Sequence, residues 1–274
     1  MIKDYKTAVK NIRTILADYI REHKLKSLVV GLSGGIDSSL CAVLAYPVCN
    51  ELGISLIGRS ITIETNKPEE IKRAAAIGKH FTTDFLEVDL TAIFKQMADV
   101  LIEKDENEDK NSFEFKIRRG NMKARTRMIY LYDLAAKNRG MVLSTDNFTE
   151  LMLGFWTLHG DVGDYGMVQN LWKTEIYGMA SFLAEEMEKE PRQALKDCIT
   201  AIATDGLGIT NSDLDQLGAA TYDEVDQVLL KLFLPEIPPQ FKNHPVIKRK
   251  FSSEYKRNNP YNIPRNQITD APYA

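Results

Sequence analysis

The chain has 274 residues, of which 44% are hydrophobic. That is enough for one large α/β domain with a substantial core. A formal net charge of -3 gives no global attraction to nucleic acid or an anionic membrane. Three cysteines, Cys41, Cys49 and Cys198, form no C-x-x-C pair and fit a reducing cytoplasm.

In chain order, Ile2, Tyr5, Val9, Ile12, Leu16, Tyr19 and Ile20 recur at helical spacing among charges. Residues 1–26 therefore read as an amphipathic helix rather than a signal peptide. No apolar run reaches membrane-spanning length. Ser27 to Val30 is a strand, followed by Gly31-Leu32-Ser33-Gly34-Gly35-Ile36-Asp37-Ser38-Ser39 and a helix that ends near Gly53.

A strand, a Gly/Ser turn and a helix start gather backbone N–H groups at the positive end of a helix dipole, which favours a phosphate chain. Gly34 and Gly35 let the backbone approach closely, and the hydroxyls of Ser33, Ser38 and Ser39 offer further donors. The loop lacks the Gly-Lys-Ser/Thr ending of the Walker loop and the GxGxxG spacing. It carries Asp37 instead, a carboxylate that calls for a divalent cation between it and the phosphates. SGGxDS in this setting resembles the PP-loop of ATP pyrophosphatases. A serine-rich turn with a helix-capping Asp is the bland alternative.

Residues 54–63 read as a second strand, Pro68 to about His80 as a helix, 85–88 as a strand and 90–102 as an amphipathic helix. The charged segment 104–112 is a surface loop, either a solvated connector or a cover for ligand. Gly120 to Met128 (GNMKARTRM) is expected to open a helix running to Lys137. Lys123, Arg125 and Arg127 would then crowd its positive end and call for an anionic partner. A solvated basic face is the other reading. Lys123 and Arg127 share a face, and Arg125 points elsewhere.

A strand at 141–143 completes an alternation of β and α, which implies a doubly wound parallel sheet flanked by helices. Ligands in such sheets bind at the carboxyl ends of the strands. Ser144 to Glu150 (STDNFTE) lies at such an end. Thr145 and Asn147 offer hydrogen bonds, and Glu150 a second carboxylate for a Mg2+ held by Asp37. Capping of the next helix, by Thr or Asp, is compatible with this. Gly154 to Asp164 supplies aromatics that could stack on a ring and acids for ribose hydroxyls, and Lys173 could neutralise phosphate charge. Proline then clusters beyond residue 235. Residues 1–274 are read as one domain with a helical and irregular extension from about 235.

SGGIDSS, GNMKARTRM, STDNFTE, GFWTLHGD, LWKTE, TDGLG, DLDQLG, TYDEVD and SSEYKR occur in the order seen in NAD synthetases. The chain resembles that family from about residue 5 to 260. The resemblance implies a PP-loop fold, a homodimer with sites near its interface, and ATP with Mg2+ adenylating the nicotinate carboxylate of deamido-NAD before ammonia displaces AMP. It implies that residues 31–38 (Gly31, Leu32, Ser33, Gly34, Gly35, Ile36, Asp37, Ser38) hold the ATP phosphates. Arg59, Thr145, Lys173 and Thr204 would also contact ATP, and Asp37 and Glu150 would bind the metal. Asp37, Lys173 and Thr204 would be catalytic, and Arg125, Asp164 and Lys256 would bind deamido-NAD. Leu158 and Tyr255 depart from the family pattern, which has a lysine and a histidine there, and His159 replaces a tyrosine.

About 30 residues precede the loop, too few for a glutaminase domain, so free ammonia or a partner is expected to supply the nitrogen. Two competing readings are a PP-loop enzyme adenylating another carboxylate or a tRNA base, and a catalytically silent dinucleotide-binding protein. The acidic chain shows neither a basic appendage nor paired cysteines for RNA work.

Overall fold

The computed structural model describes residues 1–64, 66–102, 109–202, 214 and 217–269. Its centre is a parallel four-stranded sheet in the order β3-β2-β1-β4, with β1 Ser27–Gly31, β2 Ser55–Thr62, β3 Asp84–Asp89 and β4 Gly140–Val142. Val29 lies opposite Ile57 on one side and Val142 on the other.

Side chains alternate across the sheet, and the cores divide accordingly. Leu28 and Val30 of β1, Leu56 and Met141 pack into one cluster with α1 (Tyr5–Glu22), α2 (Ile36–Leu52) and α3 (Pro68–Phe81). Val29, Ile57, Ile61 and Val142 pack into another with α4 (Thr91–Leu101) and α5 (Phe113–Lys137). The sheet is thus covered on both faces, as the strand–helix alternation predicts. A third cluster joins Leu153, Trp172, Val225, Leu229, Val246 and Ile247. It pins α6 (Phe148–Leu153) and the start of α7 (Lys173–Glu185) to the C-terminal helices 222–230 and 245–252. The helix α8 (Lys189–Ile199) packs on α7 and α3.

Successive strands run β1 to β2 to β3 in one direction, and β4 then returns to the other flank of β1. The order reverses between β1 and β4, so the turns leaving these two strands diverge and open a crevice. Residues 32–35 and 143–147 lie there.

One boundary differs from the sequence reading. The helix expected to open at Gly120 begins at Phe113, N-capped by Ser112, whose hydroxyl accepts from Phe115 N. Lys123, Arg125 and Arg127 are therefore mid-helix, and a dipole argument does not apply to them. Phe113 and Phe115, with the Ser112 cap, carry the helix back through the buried Gly120. Of the charged segment 104–112, only 109–112 lie within the described residues. No helix among the described residues is long and apolar enough to cross a membrane.

Candidate active site

The phosphate loop is preorganised by its own hydroxyls. Ser38 Oγ accepts from Ser33 N (3.2 Å), and Ser33 Oγ accepts from Gly35 N (3.2 Å). Gly34 has φ +78°, and a Cβ there would lie 2.2 Å from the Glu70 carbonyl oxygen, so α3 packs directly on the loop. Gly35 caps α2 without a side-chain bond, leaving the first-turn N–H groups open to an anion. The Ser39 hydroxyl, expected to serve phosphate, instead donates to Gly35 O (2.7 Å) and to Cys198 Sγ and is buried. Its position one turn into α2 turns it back toward the helix and away from the loop mouth.

Beside the loop, α6 and α7 present their first turns. Lys173 Nζ donates to Asp37 Oδ2 (2.5 Å) and Glu150 Oε1 (3.2 Å). Its side chain is 2% exposed. Asn147, fully buried, donates from Nδ2 to Asp37 Oδ1 (2.8 Å) and forms a capping box with Glu150. The cap of α6 is thus Asn147 rather than Thr or Asp, and Glu150 both caps and faces the cavity.

Burial works against the Lys173 ammonium, but Asp37 and Glu150 outweigh it and hold its proton well above the ordinary lysine range. Burial raises the Glu150 carboxyl, opposed by Lys173 and reinforced by the charges of Asp37 and Asp146. Burial, with Asp161 and Asp37 nearby, pushes Asp146 up to about 7. An ammonium lodged between two carboxylates marks a place where positive charge is stabilised, and this oxygen donor set suits magnesium together with phosphate oxygens.

A buried carboxylate sets this geometry from behind. Asp226 of helix 222–230 accepts from Thr149 Oγ1 (2.5 Å), Thr174 N (2.9 Å) and Thr174 Oγ1 (2.8 Å). Thr149 Oγ1 in turn accepts from Lys173 N (2.9 Å). The residues flanking Glu150 and Lys173 are thereby tied to one point.

A cavity of about 650 Å³ spreads from this cluster. Gly31, Leu32, Ser33, Gly35, Ile36, Asp37, Ser38, Arg59, Arg125, Thr145, Glu150, Lys173 and Lys256 all line it. Gly34 does not, because its turn faces α3. Arg59 is buried and pairs with Asp84 (2.8 Å). Arg125 donates to Leu158 O (3.2 Å), clear of the Lys123–Glu64 and Arg127–Asn66 contacts on its neighbouring faces.

Lys256 Nζ donates to Gly154 O (2.7 Å) and to Trp156 O, and stands over the Trp156 ring. Gly154, at φ +62°, lets Ser253 come so close that a Cβ would lie 2.4 Å from its Cβ. Asp164 is outside the cavity. It is exposed, and its carboxylate accepts from Val142 N (2.9 Å) and Tyr132 Oη (3.0 Å). Thr204 lies outside the described residues.

Sequence reasoning missed Asp226, whose distance along the chain hides its contact with α6 and α7. It also missed Arg73 of α3, which lines the cavity and donates from Nε to the Gly34 carbonyl oxygen (2.8 Å). Asn147 it took only as a hydrogen-bonding residue, whereas it holds Asp37 in place.

A phosphate-binding turn at the switch point of a parallel sheet, with paired acids around a lysine, defines a nucleotide-binding α/β protein of the PP-loop type. The chain belongs to the NAD synthase family, whose pattern matches residues 8–260. It is 33% identical over 231 residues to an NH(3)-dependent NAD(+) synthetase of Chlorobium phaeobacteroides, covering 84% of this chain and 75% of that one. The corresponding enzyme of Thermoplasma acidophilum is 28% identical over 95% of this chain and 98% of its own. Among solved structures, an NMN synthetase from Francisella tularensis shares the fold with a TM-score of 0.78 at 21% identity, over 96% of this chain and 99% of that one.

Proposed function

We propose that the cavity amidates deamido-NAD to NAD with ATP and ammonia, by way of an adenylated carboxylate, releasing pyrophosphate and then AMP. The observation that carries this is the meeting of Asp37, Glu150 and Lys173 at the mouth of the SGGIDSS loop. A carboxylate is a poor acyl donor to an amine, and adenylation gives it a leaving group. In the first step a carboxylate oxygen attacks the α-phosphorus, the α–β bridging bond breaks, and its electron pair leaves on pyrophosphate. Ammonia then attacks the acyl carbon, loses a proton, and the C–O bond to AMP breaks.

In this reading Ser33, Gly35, Ile36 and Ser38 hold the triphosphate by backbone and hydroxyl donors, and Thr145 and Thr204 add hydroxyls. Arg59 stands on the adenosine side. Asp37 and Glu150 would hold Mg2+, which supplies charge neutralisation on the phosphates. With phosphate in place, the Lys173 ammonium is shared between carboxylates and phosphoryl oxygens, stabilising charge on the leaving group. Arg125 and Lys256 orient the second nucleotide against the aromatic residues Phe155 and Trp156.

Asp164 fits this role only at a subunit boundary. It bonds to Tyr132 of α5, and Tyr132 and Ile129 of that helix are exposed groups that a homodimer would cover. A single domain working in the cytoplasm on free ammonia completes the reading.

The test is an end-point assay with ATP, magnesium, ammonium and deamido-NAD, following NAD, AMP and pyrophosphate. NAD formed with equal AMP supports the reading, and ATP bound without AMP release overturns it. Nicotinate mononucleotide should run in parallel. Leu158 leaves the acceptor side without the cation usual in the family, and preference for the mononucleotide would shift the substrate accordingly.

A further inference from the structure

The loop mouth is rich in acids. Asp37, Glu70, Asp146, Glu150 and Asp161 all line the cavity. Its buried lysine is already engaged by Asp37 and Glu150. The other cavity cations are anchored elsewhere: Arg59 by Asp84, Arg127 by Asn66, Arg125 by the Leu158 carbonyl, Arg249 by the Leu153 carbonyl, and Lys256 by the carbonyls of Gly154 and Trp156. A triphosphate brings several more negative charges, so its far end needs another cation at the loop.

Arg73 meets that need. It projects from the second turn of α3 and lines the cavity with Ser33, Gly35 and Lys173. Its Nε donates to the Gly34 carbonyl oxygen at 2.8 Å, which fixes the guanidinium against the turn. The close packing of Glu70 on Gly34 fixes the helix that carries it. Nε is the nitrogen used for that anchor, and among the described residues no hydrogen bond engages the two terminal nitrogens. A guanidinium so anchored presents a planar pair of donors suited to phosphoryl oxygens.

We propose that Arg73 is a phosphate-binding residue of this site, which grips the β- and γ-phosphates of ATP and then the departing pyrophosphate. The inference rests on the phosphate-loop reading above. When the α–β bridging bond breaks and its electron pair goes to pyrophosphate, Arg73 and Lys173, both lining the cavity, receive that charge.

The test compares pyrophosphate and AMP binding by calorimetry, with magnesium, in the full chain and in the variants Arg73→Ala, Arg73→Gln and Arg73→Lys. Loss of a charge-assisted pair predicts pyrophosphate binding at least about 10-fold weaker in the Ala and Gln variants. AMP binding should change less than about twofold, and Lys should recover part of the loss. The KM for ATP should rise with the pyrophosphate constant. The Gln variant keeps a donor for the Gly34 carbonyl, so it separates lost charge from a disturbed loop. Equal weakening of both ligands, or no change in either, would overturn the proposal. A wild-type protein that binds neither ligand would overturn the phosphate-loop reading and this inference with it.

Discussion

The two halves of the cavity are built differently. The phosphate side rests on the ends of β1 and β4 and on three helix starts, and its groups satisfy one another: Lys173 with Asp37 and Glu150, Asn147 with Asp37, Asp226 behind both helices. The side proposed for the acceptor is held mostly by cations on loop carbonyls, Arg125 on Leu158 and Lys256 on Gly154 and Trp156, with Tyr255 exposed. A side whose polar groups are mutually paired is rigid before ligand arrives, so its contribution to the transition state needs little reorganisation. A side whose cations rest on carbonyls must exchange those bonds for bonds to substrate, and its specificity depends on what that exchange gains.

Breaking the rigid half should give the largest effect. Lys173→Met leaves two carboxylates facing one another and should lower kcat by about 10³-fold, measured by AMP release at saturating substrates. Next is Asp226→Asn, which puts an amide group where one acceptor oxygen served the hydroxyl and N–H of Thr174. Misaimed Glu150 and Lys173 should cost about 10²-fold in kcat. The affinity for AMP, which needs neither residue, should hold.

A third variant separates electrostatics from geometry. Burial pushes the Asp146 carboxyl up to about 7 in the folded chain, above the ordinary aspartate value of about 3.9. Between those values the folded chain binds the extra proton, so stability falls as pH rises from about 4 to 7 and levels off above. Asp146→Asn removes that penalty. It should gain stability over the wild type as pH rises through this window, by up to a few kcal/mol, read by denaturant unfolding without metal. A constant difference between pH 4 and 8 would show that burial does not hold the proton there.

The smallest effect is expected on the adaptable half. Leu158→Lys restores a cation at the acceptor rim and should lower the KM for deamido-NAD by about 3- to 10-fold with kcat little changed. A rise in KM instead would mean that the Leu158 side chain is itself a contact.

Patterns confined to one segment were legible in the residues. The apolar run of Ser27 to Val30, the pattern read over 54–63, the proline-led start of α3, the Gly53 stop of α2 and the SGGIDSS turn all follow from local composition, periodicity and backbone preference. These gave the parallel sheet and the phosphate loop, and with them the carboxylate pair Asp37 and Glu150. The start of α5 was misjudged because the mid-helix Gly120 reads as a boundary when its burial is unseen.

Contacts between distant segments were settled only in the folded molecule. No spacing rule links Asp226 to Thr149 and Thr174, or Arg73 to the Gly34 carbonyl, because such bonds depend on which helices the core packs together. Nor could the sequence show that Asp164 faces away from the cavity, toward Val142 and Tyr132. The sequence by itself determined the chemistry the loop can offer, since that lies in side-chain types and turn geometry. The tertiary structure decided which of those groups meet, because the burial that brings helix starts together also fixes the charge each group carries.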